Sequence, residues 1–176
     1  MITSVDPVEV YVHGGSLLTL SVKNMKILKS TQCEYSLQMR QLKRSYPKDL
    51  SMAFHIPLEK AKTVTHSDFL KLLPLGKDTA ANHFFTVFNN EVRVGHLWLT
   101  KYDSSLYISN IYIMAKHRSQ GIGGKAIKWI KRKALRLGCN SVGLNVFSHN
   151  PKAMAFYGRS GFQVSHATMN CRLGTK

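Results

Sequence analysis

The sequence predicts an α/β fold in which a mixed, mostly antiparallel central sheet carries helices on both faces. Two patterns point there. First, three β-like runs, His83 to Phe88, Val92 to Thr100 and Leu106 to Ile113, are separated only by short turns, which makes an antiparallel meander. Second, the rest of the chain alternates helical and extended patterns, so the C-terminal half reads strand, helix, strand, helix, strand. A chain of 176 residues, 44% apolar, fits one domain and can bury a sizeable core.

Taken in order, residues 1–16 read as a loose tail, because Gly14-Gly15 and mixed polarity offer no periodicity, and one domain is expected over 17–176. The tail has no basic start ahead of an apolar core, so it does not read as a signal peptide. Leu17 to Val22 is a short β-like run. Asn24 is placed to cap a helix from near Met25. Cys33 to Leu73 is helical in pattern, with breaks expected at Pro47 and Pro57. Pro57 suits the first turn of a helix carrying Leu58, Ala61, Val64, Phe69, Leu72 and Leu73, which Pro74 and Gly76 end. Asn89-Asn90 and Tyr102 to Ser105 are the meander's turns, the first because Asn tolerates positive φ. Past a loop, Ile122, Ala126, Ile127, Ile130, Ala134 and Leu137 form the apolar face of an otherwise basic helix that Gly138 caps. Ser141 to Val146 is a strand, Asn150-Pro151 opens a helix to Arg159, Gly161 ends it, and Phe162 to Leu173 returns as one or two strands.

The formal net charge is +16, and its placement matters more than its size. No acidic residue follows Asp103, whereas twelve lysines and arginines do. Such asymmetry attracts polyanions. A phosphorylated cofactor, a nucleic acid, an acidic protein or anionic lipid would answer to it. Lys128, Lys131, Arg132, Lys133 and Arg136 also fit a solvated helix face, and with Trp129 alone among them no stacking platform for bases is indicated, so nucleic acid is not favoured. No apolar run of ~18 residues marks a membrane span. Cys33, Cys139 and Cys171 lack metal-ligand spacing and any catalytic motif, and fit free thiols in a reducing, cytoplasmic setting.

The chemistry-bearing segment runs from Asn110-Ile111-Tyr112-Ile113 to Arg118-Ser119-Gln120-Gly121-Ile122-Gly123-Gly124-Lys125. A strand here feeds a glycine-rich loop that opens a helix. The first helical turn exposes unpaired N–H groups, its dipole favours negative charge, and glycines let that backbone close on a phosphate. A simple left-handed turn ahead of a helix accounts for the glycines equally well. The spacing is neither the dinucleotide fingerprint nor the Walker loop. It is R-x-x-G-x-G after a β-strand, and at this point the chain resembles the GNAT superfamily of N-acetyltransferases. Downstream, Asn150, Ala153, Tyr157 and Gly161-Phe162 match that family's second motif at its spacing. The resemblance covers roughly 75–173.

The resemblance implies a fold and a set of roles. The fourth and fifth strands would splay apart and the pantetheine of acetyl-CoA would lie between them. The strand residues Ile111, Tyr112 and Ile113 would bond it through their backbone, one N–H stabilising the developing oxyanion. Ser119, Gln120, Gly121, Ile122, Gly123 and Gly124 would hold the pyrophosphate, with Arg118 and Lys125 adding charge. Asn150 would bond the pantetheine, Ala153 and Phe156 would pack against it, and Arg159 would lie near the 3′-phosphate. Tyr157 would donate a hydrogen bond or proton to the leaving sulfur; as a plain sequence feature it is also an aromatic that packs on the sheet.

The activity implied is acetyl transfer to an amine in a ternary complex, the alternative being an acyl-CoA-binding or ribosome-associated adaptor without catalysis. Family members often carry a glutamate base where this chain has Tyr112 or Asn145. Candidates that remain are His96 on the third strand, Tyr112 through a water, a carboxylate from the N-terminal half, or an amine already partly neutral. The acceptor is a small molecule or peptide amine. The absence of carboxylates after Asp103 tilts it toward a neutral or acidic one. A homodimer is compatible with all of this.

Overall fold

The computed structural model describes residues 25–169. The run Leu17 to Val22, the tail and Asn24 lie outside them, as do residues 170–176. The first element, β1 (Met25–Lys29), is a strand where the sequence predicts a helix. It pairs antiparallel with β2 (Asn82–Asn89), from Met25↔Asn89 to Lys29↔Phe85, and Met25 and Ile27 pack on the core. Alternation over five residues serves a strand, and the helix start lies a turn later. Thr31 and Glu34 form a capping box, the Thr31 Oγ1 accepting from the Glu34 N–H while a Glu34 carboxylate oxygen accepts from the Thr31 N–H.

From that cap α1 runs without interruption over Gln32–Phe54, through Pro47. An internal proline costs about 3 kcal/mol. Burial of Met39, Leu42, Pro47 and Leu50 along one side holds the helix together across it. His55, in the left-handed region at φ 50°, ends α1, and Pro57 sits one residue before α2 (Leu58–Leu72). β2, β3 (Val92–Tyr102) and β4 (Ser105–Ile113) form the expected meander. Its first turn is Asn90-Glu91, one residue later than predicted, with both φ values positive, which suits the right-handed twist of the flanking strands. α3 (Ile122–Arg136), β5 (Ser141–Leu144) and α4 (Pro151–Arg159) complete the described chain. No strand follows α4 among the described residues; beyond the half-buried Phe162 the stretch to Met169 is exposed, so little burial holds it extended.

The sheet order is β1-β2-β3-β4-β5, antiparallel except for the parallel β4–β5 pair. Side chains alternate across it. Phe85, Leu97, Leu99, Leu106 and Ile108 meet Ile122, Ala126, Ile127 and Ile130 of α3 on one face. Phe84 and Trp98 meet Met39 and Leu42 of α1, Phe69 of α2 and Leu73 just past it on the other. Phe156 and Tyr157 place α4 on the α3 face.

Candidate functional site

Two local devices open the sheet. Along β4 the register with β3 shifts between Ile108, opposite Leu99, and Asn110, opposite Trp98, so Ser109 is an extra, bulged residue. Its hydroxyl shares a 2.7 Å hydrogen bond with Thr100 Oγ1, and Thr100 also donates to Asn82 Oδ1 at 2.9 Å, which pins the bulge. On its other edge β4 pairs with β5 only from Ser105↔Ser141 to Ile108↔Leu144. Beyond Ile108 the strands part.

The direction of the freed backbone follows from the ladder. The Met114 N–H donates to Val94 O, toward β3. By alternation Tyr112 also faces β3, and the backbones of Ile111 and Ile113 face the gap. Gly95 makes this close approach: a Cβ there would fall 2.2 Å from Tyr112 O and 2.8 Å from Ile113 Cδ1. Arg118 folds back over the strand end, its Nε donating to Ile113 O at 2.9 Å and its guanidinium lying 5.7 Å from the Tyr112 ring centre. Its first task is therefore to fasten the loop, and the residue itself is exposed.

Gly121, at φ 75°, turns that loop into α3. No side chain caps the helix and no acidic residue stands in its first turn. The N–H groups of Ile122, Gly123 and Gly124 have no partner within the helix. A Cβ on Gly123 would press on Phe156 of α4 at 3.2 Å, so that glycine seats one helix on another. A Cβ on Gly124 would meet nothing within 4 Å. Nothing in the protein's own packing requires that glycine, which costs a helix interior roughly 0.5–1 kcal/mol. An open, positively polarised helix start beside an open strand edge fits a ligand with phosphates at one end and an extended amide chain at the other.

The remaining predicted residues divide. Asn150 caps α4, its Oδ1 accepting from the Ala153 N–H at 3.1 Å, which leaves its amide nitrogen for a ligand. Tyr157 packs its ring on Phe156 and Phe162. Burial pushes its pKa up to about 12. Arg159 and Lys125 are exposed, and Ala153 is half-buried. Lys131 donates to Ser160 O at 2.7 Å and lies over the Phe162 ring, which accounts for one lysine of the basic face as a tie between α3 and α4.

His96 and Tyr112 face one another across β3 and β4 with rings stacked 5.0 Å apart. His96 is 4% exposed, and its Nε2 is buried without a partner. Burial, with Arg93 adding to it and Asn110 opposing, pulls its pKa down to about 4. On the same face the fold makes a pairing that the sequence reading missed: Asp49 of α1 reaches His149 in the β5–α4 loop. The only legible signal was the need for a carboxylate from the N-terminal half. A groove of about 430 Å³ between α1 and α2, around Met39, Arg40, Lys43 and Phe69, shares no lining residue with the gap.

A split mixed sheet beside a glycine-opened, uncapped helix defines a class of acyl-group transferases. The chain belongs to the acetyltransferase (GNAT) family, whose model matches residues 41–162. It is similar to the uncharacterized N-acetyltransferase YycN of Bacillus subtilis, 28% identical over 122 residues, 65% of this chain and 77% of that one. The crystal structure of YycN superposes with a TM-score of 0.80 at 22% identity, over 86% of this chain and all of that one. The thialysine N-epsilon-acetyltransferase of Mus musculus is 41% identical over 59 residues, 34% of this chain and 35% of that protein. A structure of aminoglycoside N-acetyltransferase AAC(6')-Iy in complex with CoA shares the fold, with a TM-score of 0.53 at 12% identity over 89% of this chain and 99% of that one.

Proposed function

We propose that the protein moves the acetyl group of acetyl-CoA onto an amine by direct attack in a complex that holds both substrates. The observation that carries this is the open β4 edge at Ile111 and Ile113, set beside the uncapped start of α3. The N–H groups of residues 119–124 hold the pyrophosphate, and Lys125 with the free donors of Arg118 adds positive charge. Asn150 supports the pantetheine through its amide nitrogen, with Ala153 and Phe156 along one side and Arg159 by the 3′-phosphate. A strand N–H at the gap polarises the thioester carbonyl, and because it is fixed in place it needs no reorganisation as charge develops.

Tyr157 assists departure of the sulfur. A hydroxyl that keeps its proton to about 12 gives it up to an ordinary thiolate, of pKa ~8.5, only uphill. It therefore acts as a hydrogen-bond donor to the developing thiolate. We read His96 and Tyr112 as a stacked pair that carries the strand, because a buried imidazole of pKa about 4 is too weak a base for an ammonium of ~10.4. The amine acceptor of the similar thialysine enzyme supports an amine here as well.

The test is thiol release from acetyl-CoA across a panel of small and peptide amines. At least one amine should give turnover with the acetyl group on its nitrogen. With that amine, Tyr157→Phe should lower kcat by roughly 10–100-fold, the worth of one hydrogen bond to a charged group, and leave acetyl-CoA affinity within about twofold. No turnover with any amine would overturn the reading, and an unchanged kcat would remove Tyr157 from it.

A further inference from the structure

On the α1/α2 face of the gap, rings are stacked from the core outward. Phe69 stacks on Tyr46 at 6.0 Å, Tyr46 meets Phe147 at 6.0 Å, and Phe147 stacks on His149 at 5.3 Å. Tyr46 and Asp49 stand three residues apart on one side of α1. Phe147 and His149 belong to the loop that begins where β5 leaves β4. The end of this ring series brings His149 Nε2 to 3.6 Å from Asp49 Oδ1. Neither group is sealed off: 49% of the Asp49 side chain and 25% of the His149 side chain remain exposed. Tyr107, one residue before the strands part, projects to this same face.

We propose that His149, oriented by Asp49, takes the proton from the acceptor amine. This rests on the transfer reaction proposed above and supplies the base that Tyr112 and Asn145 do not.

The chemistry follows from the pairing. With Nε2 turned to the carboxylate, the favoured tautomer carries Nε2–H, and Nδ1 has its lone pair free. The 3.6 Å separation is long for a hydrogen bond, as such contacts commonly are before substrate binds. The incoming ammonium gives one proton to Nδ1. The neutral nitrogen then bonds to the thioester carbonyl carbon, the carbon–sulfur bond breaks, and the second nitrogen proton passes to the sulfur, so the products are amide, thiol and imidazolium. The imidazolium returns its proton to water. Among the described residues, Asp49 on α1 pairs with His149, Tyr46 on α1 meets the neighbouring Phe147, and Asp68 of α2 and Tyr107 of β4 lie within electrostatic reach of Tyr46. Burial first, then Asp68 and Asp49, raises the Tyr46 pKa, which keeps that hydroxyl neutral and places both carboxylates within electrostatic reach of it. Burial first, with Tyr102 and Tyr46 adding, does the same for Tyr107. Asp49 also removes the ground for expecting a neutral or acidic acceptor, since the carboxylates missing from the C-terminal half arrive from α1 and α2.

A structural role and a base are told apart by the acceptor's own basicity. The experiment measures kcat/KM at pH 7 for a series of alkylamines whose ammonium pKa is lowered stepwise by β-fluorination from about 10.4. For the most basic amine His149→Gln should lose ~100-fold or more. The loss should shrink toward none as the amine becomes neutral at the assay pH, and likewise as pH is raised. Asp49→Asn should show the same pattern at about tenfold, and His149→Ala should recover rate with added imidazole. The acetyl-CoA-induced rise in Tm, kept within about a degree in each variant, shows that the fold and cofactor site survive. A loss equal for all amines and insensitive to pH and imidazole would overturn the assignment while leaving acetyl transfer standing. A wild type that acetylates no amine would overturn the transfer reaction itself, and the base with it.

Discussion

His96 shows what a single buried side chain does to the molecule's response to acid. Its folded pKa of about 4 lies below the ~6.5 of an unfolded chain, because charging it means charging a group that is 4% exposed. The folded state thus binds the proton more weakly than the unfolded state. Its share of stability is complete above about pH 6.5 and is lost as pH falls from there through about 4. The gap corresponds to about 3 kcal/mol at full extent. Urea unfolding at pH 7.5 and 4.5 should therefore show a loss that His96→Gln, which cannot be charged, reduces by roughly 2–3 kcal/mol. Carboxylates titrate in both proteins, so the difference between the two slopes is the measure. Equal slopes would mean that His96 can accept its proton in place, and a base role for it would have to be reopened. The same residue marks a limit of reading sequence. A histidine between Gly95 and Leu97 shows no burial in the linear chain, and only the α1 and α2 helices over this face decide it.

At the scale of elements, the start of α3 and the parting of β4 from β5 together make a candidate site that neither makes alone. Gly124 tests the first of them. Its surroundings are empty and it lies within a helix, so Gly124→Ala should stabilise the free protein by about 0.5–1 kcal/mol. If the helix start receives a pyrophosphate, the added methyl intrudes on the ligand, and acetyl-CoA affinity should fall by tenfold or more. Opposite signs in melting temperature and in binding, read by calorimetry and titration on one variant, are the expected result; unchanged affinity would move the phosphates elsewhere. This part of the site was legible in sequence because its residues are contiguous, from Arg118 to Lys125 and from Asn150 to Phe162. The splay was expected only through the resemblance, for the Ser109 bulge has no signature and depends on Thr100 and Asn82 from two other strands. Asp49 and His149 were invisible as a pair, one hundred positions apart in the chain. Two of the places where the chain departs from its sequence pattern have local causes too. The Thr31–Glu34 capping box is present in the sequence, but Asn24 presents a competing cap, and Pro47 reads as a helix break that the packing of α1 outweighs.

For the whole molecule the question is what the positive charge is for. In the proposed binding mode acetyl-CoA would bring several negative charges to one end of the gap, and the described structure ties Lys131 and Arg118 into internal hydrogen bonds as well. A ligand that binds only the folded state raises stability by about 2.7 kcal/mol at a hundred times its Kd. For a chain of this size each kcal/mol moves Tm by roughly 2–4 °C, so saturating acetyl-CoA should raise Tm by about 5–10 °C. Part of that binding is Coulombic and screened, as the Debye length falls from ~10 Å at 0.1 M salt toward ~3 Å at 1 M. Part is not, because in the proposed binding mode the contacts to the helix N–H groups, the Ile111 and Ile113 backbone and Phe156 would be short-range. Raising salt from 50 to 300 mM should therefore trim the shift and leave most of it. A polyanion held by the Lys128, Arg132, Lys133 and Arg136 face alone would behave otherwise, losing orders of magnitude in affinity over the same range through counterion release. Thermal melts with acetyl-CoA and with a short RNA, at both salts, separate the two. A salt-tolerant shift with acetyl-CoA and none with RNA assigns the charge to steering the thioester and to keeping the protein soluble. A shift with RNA alone, gone at 300 mM, would instead make the basic face an interaction surface on an acetyltransferase scaffold.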